Sequence, residues 1–178
     1  MSRRNARRYA LQRLYQWEMN GYADPEKETD EVVYCMERKG EDGWRDDELH
    51  EAVLTREQDL ALARHLISTV KARKEELDQR ISRHLKKWSL KQINVVDKNL
   101  LRMALAEYEY PQEGDRTDRA VIFDEAVELA REFGGDNSSR FVNGILAAAV
   151  KELLSEKEKE NKPEPSGENK TGTARDDG

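Results

Sequence analysis

Five arginines, Arg3, Arg4, Arg7, Arg8 and Arg13, precede the first carboxylate of the chain, Glu18. Guanidinium groups are planar multiple donors matched to phosphate oxygens and guanine edges. Arg3 with Arg7, and Arg4 with Arg8, are spaced to share a helical face. A helix starting here carries its cations against its own dipole, at about 0.3–1 kcal/mol each, so helix stability does not account for them. The cluster reads as an anion-binding patch or as a solvated basic end. A second group lies late in the chain, where Asn137, Ser138, Ser139 and Arg140 precede Phe141, Val142, Asn143 and Gly144. Amides at a helix start attract anions, Asn and Ser can read base edges, and Phe can stack on an unpaired base. A cap followed by a core phenylalanine is the alternative for the same residues.

Other chemistries find little to work with. A di-iron bundle needs Glu three residues ahead of a ligand His, whereas His50, His65 and His84 follow Asp47, Leu62 and Ile81 at that distance. No phosphate-binding glycine loop, serine elbow or Cys–His arrangement occurs. Asp124, Glu125 and Glu128 fit one exposed helical face better than an acid–base pair. The single cysteine, Cys35, leaves neither a disulfide framework nor a multi-cysteine zinc site. No enzymatic activity, cofactor or metal is expected.

The net charge of −6, from 31 basic and 37 acidic side chains, would argue against a nucleic-acid ligand if it were evenly spread. It is not: the acids crowd residues 24–59 and the C-terminal tail, which leaves the first helix as a local basic patch. No apolar run approaches the roughly 18 residues that span a bilayer, and the first residues lack a secretory apolar stretch. A cytoplasmic protein without membrane attachment is expected.

The elements that must position these groups read as helices, because apolar residues recur at helical rather than alternating spacing. The first spans about residues 3–20, burying Ala10, Leu11, Leu14, Tyr15 and Trp17, and Gly21 ends it. Asp24 and Pro25 start a helix over residues 24–40. Thr55 with Gln58 forms a capping box ahead of a stripe from Leu60 through Leu66, Val70, Leu77, Ile81 and Leu85 to Trp88, long enough for two helices. Residues 94–110 place Val96, Leu100, Leu101, Ala104, Leu105 and Tyr108 on one face. Asp118 caps the next helix, which buries Val121, Ile122, Ala126, Val127, Leu129 and Ala130 and stops at Gly134 and Gly135. Asn137 or Ser138 caps the last, which buries Phe141, Val142, Ile145, Leu146, Ala149, Val150, Leu153 and Leu154. A helical domain over residues 1–157 and a disordered charged tail over 158–178 follow.

Three stretches in this order resemble the NusB family: ARRYALQRLYQWE (6–18), INVVDKNLLRMALAEYEY (93–110) and FDEAVELAREFGGDNSSRFVNGIL (123–146), the last ending in the FVNG element. The resemblance implies an all-α fold of about seven helices in two packed three- to four-helix bundles. It also implies an antitermination factor that binds the boxA element, as single-stranded RNA, in ribosomal RNA transcripts together with NusE, a ribosomal protein, within the RNA polymerase antitermination complex. Carried over by position, the RNA-binding residues are Arg3, Arg4, Arg7, Tyr15, Asp97, Asn137, Ser138, Phe141 and Asn143. Residues 24–54 are longer and more acidic than the family pattern, and the tail is an extension. Monomer and homodimer stay open, as does a helical adaptor that binds only protein.

Overall fold

In the computed structural model, residues 2–23 and 57–162 are described. They form five α-helices: α1 (Ser2–Met19), α2 (Glu57–Arg83), α3 (Val95–Glu109), α4 (Arg119–Phe133) and α5 (Ser138–Glu160), with a short 3-10 turn at Leu90–Gln92 before α3. Helix α3 is the axis of the molecule. It packs against α1, α2, α4 and α5, and every residue from Val96 to Tyr108 is buried. On one side α1 and α2 close over it with Leu11, Leu14, Leu62, Leu66, Leu77 and Ile81; on the other α4 and α5 do so with Ile122, Leu129, Val142, Leu146 and Leu153.

The helix ends follow from their capping chemistry. Asn94 Oδ1 accepts from the Val96 N–H at 2.8 Å and Asp118 Oδ1 from the Ala120 N–H at 3.0 Å, each satisfying an orphan donor. Gly21 follows α1 at φ +68°, a left-handed conformation that glycine adopts without strain. Gly134 does something else. Its backbone is extended, but a Cβ there would lie 2.3 Å from Ser138 Cβ, so the absent side chain is what lets α5 start directly against the end of α4.

Several expectations change. The described residues hold five α-helices rather than about seven, with the long stripe from Leu60 counted as the single element α2; the helical backbone of α2 is interrupted at Arg73 (φ −111°, ψ 15°), where two helical segments meet across a kink, in keeping with the expected two helices. The expected helix over 24–40 and the cap at Thr55 lie outside the described residues. Trp88 falls beyond the end of α2 and is 58% exposed instead of buried. Val121 and Leu154 are exposed as well. Helix α5 runs to Glu160, past the expected boundary at 157, with Glu156 paired to Arg80 of α2 at 3.2 Å.

Buried charges tie the elements at both ends of α3. Toward its start, Lys98 donates to one Glu18 oxygen of α1 at 2.5 Å, and Arg102, at the middle of the helix, gives Nη1 to the other at 2.9 Å and Nε and Nη2 to Asp78 of α2 at 2.6 and 3.0 Å. Near its end, Arg7 of α1 meets Glu107, so α1 lies antiparallel to α3.

Candidate nucleic-acid interface

The N-terminal arginines fan out over α3, α4 and the loop between them, and each grips a carboxylate. Arg3 Nη2 donates to Asp115 Oδ2 at 2.7 Å and to the Thr117 hydroxyl at 2.9 Å. Arg4 holds both Glu125 oxygens, at 2.7 and 2.9 Å, and Arg8 reaches Glu132 at 2.9 Å. Arg7 clasps Glu107 with Nε and Nη2, at 2.9 and 2.6 Å. Burial divides the set. The Arg3 and Arg4 side chains are 41% and 37% exposed and can be reached from solvent, whereas those of Arg7 and Glu107 are 4% and 3% exposed.

The carboxylates respond accordingly. The Arg4 hydrogen bond holds Glu125 below the usual glutamate range. Burial acts to raise Asp115, but the Thr117 hydroxyl and N–H and the Arg3 guanidinium together bring it below the usual aspartate range. The basic patch read from the sequence is therefore a row of paired charges in the folded chain. A phosphate approaching Arg3 or Arg4 competes with a carboxylate already in place.

The second group assembles around a cleft of about 380 Å³ where the starts of α3 and α5 converge. Asp97, Asn137, Ser138 and Phe141 all line it, together with Trp88, Gln92, Asn94 and Asp136. Ser138 Oγ donates to Asp97 Oδ2 at 3.0 Å, a bond between helices that spends the serine side chain on α3 instead of on its own helix. Asp97 Oδ1 is buried and accepts no hydrogen bond within the protein. Burial pushes the Asp97 carboxyl above the usual aspartate range, against the opposing pull of the Ser138 bond.

Asn137 holds the cap position of α5 without a side-chain cap bond. Phe141 is half-buried, with part of its ring against the core. Asn143 is exposed on α5 but does not line the cleft, and Tyr15 is half-buried against the core on α1.

The two groups are joined along α4. Arg4 at Glu125 and Arg8 at Glu132 follow that helix toward its C-terminal end, and the Gly135 and Asp136 that come next line the cleft. On α3, Asp97 and Glu107 are ten residues apart, about 15 Å at 1.5 Å per residue. One single strand of a few nucleotides spans that distance. Sequence reasoning missed Trp88, Gln92 and Asn94. The available signal for Trp88 was its position after Lys86 and Lys87, between two helices, where a continuing stripe has nothing left to pack on.

Among the described residues no group of three or more His, Cys, Asp or Glu could hold a metal ion, and no helix is long and apolar enough to cross a membrane. The profile of the NusB family matches residues 4–151. The transcription antitermination protein NusB of Symbiobacterium thermophilum is 37% identical over 151 residues, 85% of this chain and 90% of its own length. The crystal structure of T. maritima NusB aligns with a TM-score of 0.62 at 32% identity, covering 84% of this chain and 91% of that one. A structure of the antitermination factors NusB and NusE in complex with double-stranded RNA shares the fold at 24% identity, TM-score 0.60, covering 85% of this chain and 97% of the chain it matches.

Proposed function

Because the chain belongs to the NusB family, we propose that it is a transcription antitermination factor that binds boxA-type single-stranded RNA in nascent ribosomal RNA transcripts together with NusE. Family membership over almost the whole described chain carries this reading. The structure of NusB and NusE in complex with double-stranded RNA supports RNA as the class of ligand and NusE as the partner. The reading also places the protein in the cytoplasm, within the RNA polymerase antitermination complex, acting by binding and not by catalysis.

Within it, Arg3 and Arg4 contact phosphates and Arg7 acts from beneath them, fixing α1 so that its neighbours are aimed. Asp97, Asn137, Ser138 and Phe141 form the base-reading end, with Tyr15 and Asn143 at its margins. The paired state of the arginines has a consequence for affinity. Each phosphate contact replaces an internal ion pair, so RNA alone gains little net charge neutralisation, and a partner that contributes contacts of its own becomes important.

The same paired state favours one competing reading, a helical adaptor that binds only protein. Transcription by an elongating polymerase through a terminator downstream of boxA separates them. The antitermination reading expects readthrough that depends on this chain, on NusE and on an intact boxA, and that falls in an Arg3→Ala, Arg4→Ala variant; readthrough indifferent to boxA supports the adaptor.

A further inference from the structure

The cleft between the starts of α3 and α5 has a feature that the arginine edge lacks. A tryptophan indole stands largely in solvent beside a buried carboxylate oxygen without a donor. An exposed indole costs solvation unless something covers it, and Trp88 sits where no helix of the described chain packs over it. Asp97 is 6% exposed; its Oδ2 accepts from the Ser138 hydroxyl, and its Oδ1 is a buried acceptor with no hydrogen-bond donor in the protein. The nearby amide oxygens are already engaged, Asn94 Oδ1 by the Val96 N–H and Gln92 Oε1 by the Ser89 N–H at 2.8 Å. Two carboxylates, Asp97 and Asp136, line the cleft, so it disfavours a phosphate and favours a planar group carrying N–H donors.

We propose that this cleft is a single-nucleotide subsite, in which one unpaired base stacks on Trp88 and donates its exocyclic amino group to Asp97 Oδ1. The inference rests on the RNA-binding reading above and deepens it by naming the class of base: adenine, cytosine or guanine, and not uracil, which has no amino group. Asn137, its side chain unused by the helix, is placed to meet the rest of the base edge. The arginine edge then supplies affinity and register, while the cleft supplies the sequence preference.

The test uses the full chain with NusE and a labelled boxA-like RNA. In a series of RNAs, each amino-bearing base is replaced in turn by its counterpart without the amino group: purine for adenine, hypoxanthine for guanine, 2-pyrimidinone for cytosine. One position is expected to weaken wild-type binding about fivefold or more on replacement, and to have no effect in Asp97→Ala. Trp88→Ala is expected to lose about fivefold or more on every RNA while Trp88→Phe keeps most of the affinity, and RNA should quench tryptophan emission in wild type but much less in Trp88→Phe. Thermal melts confirm that each variant is folded; Trp88, being exposed, is the safer of the two sites. Specific boxA binding by wild type with unchanged affinity in Trp88→Ala, or with the same sensitive position persisting in Asp97→Ala, overturns the subsite and leaves the antitermination reading standing. Equal binding of boxA and a scrambled RNA by wild type overturns both.

Discussion

Replacing Arg7 with alanine should unfold this protein more readily than replacing any other arginine of the first helix. The guanidinium makes two bonds to Glu107, at 2.9 and 2.6 Å, and the two side chains are 4% and 3% exposed. Removing it leaves a carboxylate buried with little to pair with, since the nearest substitute, Arg3 Nη2, stands 3.9 Å away and is committed to Asp115. Breaking one side of a buried pair costs about 3–5 kcal/mol. For a chain of this size, each kcal/mol moves the melting temperature by about 2–4 °C, so a drop of roughly 6–20 °C is expected. Arg4→Ala removes a pair at the surface and should cost no more than about 1 kcal/mol.

Thermal and urea unfolding followed by circular dichroism measure both. A double variant, Arg7→Met with Glu107→Leu, is the decisive control, because exchanging a buried pair for apolar groups of similar volume is close to neutral. A loss below about 1 kcal/mol in Arg7→Ala, or a double variant as unstable as the single, would refute the reasoning. The pair of outcomes also assigns roles: RNA binding lost in Arg7→Ala alongside stability marks Arg7 as a positioning residue, whereas binding lost in Arg4→Ala at full stability marks a contact.

Asp97 should make stability depend on pH in the sense opposite to the paired carboxylates. Its folded-state pKa is raised, so its contribution is fully present below the ordinary aspartate range and lost as pH rises through the folded value. The stability of Asp97→Asn minus that of wild type should therefore increase from acid to neutral pH in a series of melts; a flat or falling difference contradicts the burial account. Gly134→Ala pushes a Cβ to within 2.3 Å of Ser138 Cβ and 2.6 Å of the Ala130 carbonyl oxygen, so it should cost about 1–3 kcal/mol in urea unfolding. Its α5 start should shift away from Asp97, seen as altered amide chemical shifts at Ser138 and Asp97. Asn94→Ala removes the cap of α3 and should cost about 0.5–2 kcal/mol by the same unfolding assay, with no loss expected from Asn143→Ala on the exposed face of α5.

The helices were readable because their apolar stripes are continuous. Val96, Leu100, Leu101, Ala104, Leu105 and Tyr108 are all buried, and Asp118 caps α4 as its residue type suggests. Stripe membership was less readable at its edge. Val121 lies one position from Ile122, about 100° around the helix, and that step carries it off the buried face to 44% exposure.

The partners of the arginines were not readable at all. Arg7 and Glu107 are separated by 100 residues, and nothing local distinguishes Arg7, which is buried, from Arg4, which is not. The cleft was half legible: the run from Asn137 to Phe141 announced a helix start with base-reading chemistry, and the resemblance pointed to Asp97. Trp88 was hidden because an apolar residue in register with a stripe looks buried until the helix beneath it is known to have ended at Arg83.

The measurement that bears most directly on the account is fluorescence anisotropy of a labelled boxA RNA and a scrambled control, titrated with this chain at fixed salt, with and without NusE. The account predicts that boxA binds more tightly than the control, that NusE tightens boxA further, and that Arg3→Ala with Arg4→Ala weakens both forms without lowering the melting temperature by more than a few degrees. Equal binding of the two RNAs in the presence of NusE would contradict it.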